Sequence, residues 1–130
     1  RGGGNIVNVS TYYVLPARSK GTNPPDTDLY NASKWALNGF TQAWSRHLAV
    51  HNIRVNGLCM GATDTPMLRG LFDDGQLPPE IAETVMQPEQ IGAQMVEVLK
   101  SDRTGENFGA WVGYPVGLGI PPAPHRTISG

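Results

Sequence analysis

The sequence predicts an α/β fold built on a parallel sheet, and three observations predict it. Short β-rich runs occur at Ile6–Val9, Ile53–Cys59 and Ala110–Val112. Helical apolar periodicity fills the intervals between them, with no internal repeat and no long linker. Strands that alternate with helices form βαβ units, whose sheet is parallel and covered on both faces. Three strands make a thin sheet with unpaired edges, so the expectation is half of a larger α/β domain.

Each element has a local reason. Ile6-Val-Asn-Val9 follows a glycine run and enters as a strand straight from a turn. Pro16, Gly21, Pro24 and Pro25 make 11–27 a loop. Asp28 is a candidate N-cap for a helix running to about Val50. On that helix Leu37, Phe40, Trp44 and Leu48 recur at three- and four-residue steps, which makes one apolar stripe. The second strand, Ile53–Cys59, is mostly apolar; a loop 61–66 and a short helical turn 67–72 follow it. Pro78-Pro79-Glu80 and Pro88-Glu89 suit helix starts, because proline is tolerated at the first helical position. The second of these opens a helix with Ile91, Met95, Val96 and Leu99 on one face. The tail Pro121–Pro124 is expected to be extended.

Composition excludes several classes of function. With 39% hydrophobic and 16% charged residues and a net charge of −1, the chain is globular and lacks the basic excess of a nucleic-acid binder. The single cysteine, Cys59, allows no internal disulfide and has no metal-ligand spacing, so it is expected to be a buried, inert thiol. No apolar run reaches the roughly 20 residues of a membrane span. The start, Arg1-Gly-Gly-Gly-Asn5, is neither a signal nor a transit peptide, and the expectation is a cytoplasmic protein. His47 and His51 stand four apart with no third ligand nearby in sequence, so they are expected at an exposed helix end, with no metal. His125 has no nameable partner, and Asp73-Asp74 is expected to be a solvated pair.

Tyr30-Asn-Ala-Ser-Lys34 carries the chemistry. Residues four apart share a helical face, so phenol and ammonium can reach one point. A free phenol, with a pKa of about 10, is a poor proton couple at neutral pH, and a fixed positive charge favours its phenolate. The pair is a credible acid/base unit, though a short one that also arises by chance on helix surfaces.

Its context is more specific. Gly4-Asn-Ile-Val-Asn-Val-Ser10, Tyr30-Asn-Ala-Ser-Lys34, Arg54-Val-Asn-Gly57 and Gly61-Ala-Thr-Asp-Thr-Pro-Met67 occur in this order and resemble the short-chain dehydrogenase/reductase family from residue 4 to about 113. The resemblance implies the C-terminal half of a Rossmann-like, doubly wound parallel sheet, three strands with flanking helices. It implies Tyr30 as general acid/base, and Lys34 as the group that tunes it and holds the nicotinamide ribose. The family's catalytic serine falls at Thr11, with Ser10 as the fallback. Gly61 keeps the turn where the family has Pro-Gly and this chain has Met60-Gly61. Thr65 resembles the threonine that contacts the nicotinamide carboxamide or pyrophosphate, with Thr63 contributing through its backbone.

By the same resemblance the cofactor is NAD or NADP, and the substrate a small-molecule alcohol or ketone. The long helix would pair with its symmetry mate in a homodimer or homotetramer, with Phe40 and Trp44 in the core or the subunit interface. The interval from Thr11 to Tyr30 is longer than the family usually has, so extra residues between Ser19 and Asp28 are expected to enlarge a loop over the substrate pocket. The stretch 68–87 is expected to form the substrate lid. G-x-G-x-x-G does not occur in the 130 residues, and the spacing G-x-x-x-G-x-G falls only at Gly113–Gly119, in the irregular tail rather than between a first strand and a helix. Residues 1–130 are therefore expected to be the catalytic and substrate-binding half of one domain, with the N-terminal dinucleotide-binding half absent and no turnover by this piece alone. The rival expectation is a non-catalytic or truncated relative that serves oligomerisation or regulation.

Overall fold

Alternation of β-branched and small residues makes the first run a strand, and pairing extends it beyond the apolar core of the run. In the computed structural model, which describes residues 2–15 and 28–118, β1 spans Gly4–Thr11. A 3-10 turn, Tyr12–Val14, follows directly. Helix α1 spans Asp28–Leu48, starting at Asp28 itself, and a 3-10 turn over Ala49–His51 carries it to Asn52. Asn52 takes a left-handed conformation (φ 55°), donates its backbone N–H to Ala49, and so ends the helix. The rest is β2 (Ile53–Met60), α2 (Pro66–Arg69), α3 (Pro79–Ala82), α4 (Pro88–Lys100) and β3 (Asn107–Ala110). Prolines occupy the first turns of α2, α3 and α4, where no N–H is needed.

The sheet is three-stranded and parallel in the order β1-β2-β3, as the alternation predicted. Central β2 is buried from Val55 to Cys59, as expected of a strand covered on both faces, with the amide of Asn56 paired to the Arg103 carbonyl and the Glu106 N–H. Successive side chains on a strand point to opposite faces. Cys59 meets Asn38 of α1, whereas Leu58 joins Met86, Val98, Phe108 and Ala110 in a cluster roofed by Ile91 and Met95 of α4. Full burial of each of Leu58, Met86 and Val98 stabilises the fold by about 1.5–3 kcal/mol. Backbone bonds between Gly109 and Gly117 cover the outer edge of β3. Among the described residues, the outer edge of β1 has no partner strand.

One expectation shifts and another narrows. The third strand is Asn107–Ala110 rather than Ala110–Val112, because Trp111 leaves the ladder to pack on Tyr12 with ring centroids 4.6 Å apart. Of the two places left open for Phe40 and Trp44, core or subunit interface, the core is excluded: Phe40 is 52% and Trp44 44% exposed, stacked edge-to-face on each other, while Leu37 and Leu48 are half-buried. The buried face carries Asn38, Thr41 and Ser45 instead, and the Thr41 hydroxyl accepts from Asn8 on β1 at 3.1 Å. Small, hydrogen-bonded side chains let α1 lie close on the sheet at the expense of an apolar seam. His47, His51, Asp73 and Asp74 are exposed. The extra loop residues 19–27, the tail 121–124 and His125 lie outside the described residues.

Candidate active site

The C-terminal ends of parallel strands are where open α/β sheets hold ligands. Here β1 ends at Thr11, in register with Met60 at the end of β2. Thr11 is buried, and its Oγ1 accepts the Tyr13 N–H at 3.4 Å, capping the 3-10 turn. That bond uses an acceptor site, and among the described residues the hydroxyl proton has no acceptor. Ser10, also buried, is committed differently: its Oγ donates to the Lys34 carbonyl at 3.5 Å and contacts the Cys59 thiol.

Lys34 is tied to the strand end twice. Its carbonyl takes the Ser10 bond, and its Nζ donates to the Val9 carbonyl at 3.1 Å. The same Nζ lies 5.7 Å from the centre of the Tyr30 ring, within cation–π reach. Tyr30 sits in the first turn of α1 and is 50% exposed. Ser10, Tyr30 and Lys34 are thus brought together around the last residues of β1, with Thr11 next in the chain.

One turn on from Lys34, the buried Asn38 amide donates to the Val14 carbonyl at 3.3 Å, while its oxygen lies 3.7 Å from Cys59 Sγ. Asn38 thereby links α1 to the turn after Thr11 and to β2. The spacing 34, 38, 41, 45 was the available signal, masked by the louder apolar stripe. Burial pushes the Cys59 thiol up to about 11, against the pull of its Ser10 and Asn38 hydrogen bonds and the Lys34 charge. A thiol so placed is neutral and inert at neutral pH.

The loop after β2 forms the second wall. Gly61 donates its N–H to Ala110 at 3.0 Å, and any β-carbon there would lie 2.7 Å from the Trp111 ring. Thr63 Oγ1 faces the Gly61 carbonyl at 3.5 Å and Met60 Sδ at 3.7 Å. Thr65 Oγ1 accepts the Leu68 N–H at 3.2 Å and caps α2. Between the threonines, Asp64 holds Arg69 through two parallel bonds, Oδ1 to Nε at 2.6 Å and Oδ2 to Nη2 at 2.8 Å. Sequence reasoning missed this pair, which spans a loop–helix junction at a five-residue step rather than a helical one. Arg69's hydrogen bonds hold the Asp64 carboxyl below its ordinary range, outweighing desolvation, with Arg69's charge and the Gln87 amide adding to the effect.

Comparison with known proteins places the chain in a family. Residues 1–76, from β1 to just past α2, match the short chain dehydrogenase family. The chain belongs to that family. A 3-oxoacyl-[acyl-carrier-protein] reductase of Thermotoga maritima is 34% identical over 126 residues, covering 90% of this chain and 46% of that protein. The acetoin dehydrogenase structure from Salmonella typhimurium superposes with a TM-score of 0.60 at 26% identity, over 82% of this chain and 42% of that one. The structure of 4-hydroxyisoleucine dehydrogenase complexed with NADH gives 0.55 at 29% identity, over 81% and 43%. The chain thus spans less than half the length of these relatives, all of them dehydrogenases or reductases of the Rossmann type.

Proposed function

We propose that the chain is the catalytic and substrate-binding half of an oxidoreductase domain that moves hydride between NAD or NADP and a secondary alcohol or ketone. The observation that carries this reading is the Tyr30–Lys34 pair, fixed to the end of β1 by the Ser10 and Val9 bonds with Thr11 beside it. In ketone reduction, Tyr30 gives its phenolic proton to the carbonyl oxygen. The phenolate left behind is stabilised by the Lys34 charge, and oxidation runs the same transfer backwards. Thr11 donates its free proton to the substrate oxygen and orients it. Ser10 is not the donor in this reading, because its hydroxyl is spent on Lys34 and Cys59.

The donor set fits a nicotinamide riboside. Lys34 offers an ammonium for ribose hydroxyls, and Gly61, Thr63 and Thr65 offer backbone and hydroxyl groups at the end of the neighbouring strand. The cofactor supplies or accepts the hydride when bound. Binding of NADH by a structural relative supports this choice. The pyrophosphate turn would come from an N-terminal half pairing along the open edge of β1. A cytoplasmic location belongs to the same proposal, and among the described residues no helix is long and apolar enough to cross a membrane.

The test is cofactor-linked absorbance with a panel of cyclic and open-chain secondary alcohols. Turnover is expected when the chain is joined to its N-terminal half, and none from the 130 residues alone. A joined protein that binds neither NAD nor NADP and turns over no alcohol would sink the reading and favour a non-catalytic module.

The exposed stripe on α1 supports a homodimer or homotetramer. Ala36, Gly39 and Ala43 flank Phe40 and Trp44 in a shallow apolar groove, the inverse of the amphipathicity a solvent-facing helix shows. A second copy of α1 is the proposed occupant. The double change Phe40→Glu/Trp44→Glu is expected to reduce the sedimenting mass by half or more. An unchanged mass above that of a monomer would place the interface elsewhere.

A further inference from the structure

Just after Thr63 the chain makes an excursion, 65–86, before it enters α4. The neck of that excursion is closed at one point. Thr63 and Met86 form a parallel bridge: Asp64 donates its N–H to the Met86 carbonyl at 2.9 Å, and Met86 donates to Ala62 at 2.9 Å. The Met86 side chain is buried in the cluster around Leu58, so the returning arm is anchored from below.

Asp64 thus reaches both arms. Its carboxylate grips Arg69 of α2 through two bonds, while its backbone N–H holds Met86 on the returning arm. Arg69 extends the grip by donating Nη1 to the Gly75 carbonyl at 3.0 Å. Asp64 is only 17% exposed, and a planar fork on a shielded carboxylate is stronger and more directional than an ordinary surface pair. The other acids near this fork, Asp73 and Asp74, sit in the turn that Arg69 holds through Gly75, exposed to solvent.

We infer that Asp64 is a positioning residue: its carboxylate locks the neck of 65–86 and so fixes the Thr63–Thr65 turn and the exposed Met67 and Leu71 beyond it. Asp64 touches neither substrate nor cofactor in this account and acts through the backbone it holds. The inference rests on the oxidoreductase reading for its effect on catalysis, but its effect on the excursion does not.

The experiment uses the intact protein carrying this sequence. Asp64→Asn keeps the shape and removes the charge. Cofactor and substrate KM are expected to rise about tenfold or more with kcat within a few-fold, the pattern of lost uniform binding. Limited proteolysis is expected to cut within 65–86 faster in Asp64→Asn than in the parent. The exchanged pair Asp64→Arg/Arg69→Asp is expected to recover part of both effects. Unchanged KM values and an unchanged cleavage pattern in folded Asp64→Asn overturn the inference, as does an exchanged pair no better than either single change. If the parent protein turns nothing over, the oxidoreductase reading fails, and the cleavage comparison still decides the role of Asp64.

Discussion

Tyr30→Phe in the intact protein carrying this sequence is expected to lower kcat by about 10²–10⁴-fold, the usual range for removing a general acid or base. The change deletes one oxygen from a ring that is half-exposed in the first turn of α1. Surface changes of that kind usually alter stability by less than about 0.5 kcal/mol, so the thermal midpoint is expected to stay put. Lys34→Ala behaves differently. It removes the charge facing the phenol and also the bond to the Val9 carbonyl that ties α1 to β1, so it is expected to lower both kcat and the melting temperature. Steady-state rates paired with thermal melts of both variants separate the two roles. Activity in Tyr30→Phe within a few-fold of the parent would remove the acid/base assignment, whatever Lys34→Ala does.

Local signals made most of this fold legible. The βαβ alternation, the start of α1 and the proline-led starts of α3 and α4 needed no partner from elsewhere in the chain, and all appear where the sequence put them. The features that local signals misplaced or left open depend on distant contacts. Phe108 to Val112 is almost continuously apolar, and no local feature says that pairing stops at Ala110. Trp111 stops it, by turning onto Tyr12, which is far away in sequence. Phe40 and Trp44 of α1 face outward because Asn38, Thr41 and Ser45 take the inner face, and the partners of the first two are Val14, Cys59 and Asn8. In the site, motif order marked Tyr30, Lys34 and Thr11, whereas Asp64 and Arg69 followed no helical spacing. The family resemblance ranked Thr11 ahead of Ser10, and their different hydrogen-bond commitments were not legible in sequence.

Trp111→Ala is expected to cost about 3–5 kcal/mol, as truncation of a buried large aromatic does, and to lower Tm by roughly 10 °C in a domain of this size. The indole is buried where all three strands end. It packs on Tyr12 after β1, lies under Gly61 after β2, and continues the chain from β3. Gly61→Ala tests the same contact from the other side. Its new methyl would lie 2.7 Å from Cε3 and Cζ3 of the ring, an overpacking worth about 1–3 kcal/mol. The double variant decides whether this contact is the cause. With the indole gone the methyl has room, so Gly61→Ala/Trp111→Ala is expected to be no less stable than Trp111→Ala alone. The shortfall from additivity then equals the cost of Gly61→Ala, within the about 0.5–3 kcal/mol seen for touching residues. Denaturant titration of the four proteins measures it. Strict additivity would mean that Gly61 is needed for its backbone rather than for the ring above it, and the turn to Thr63 and Thr65 would owe its shape to Met60-Gly61 alone.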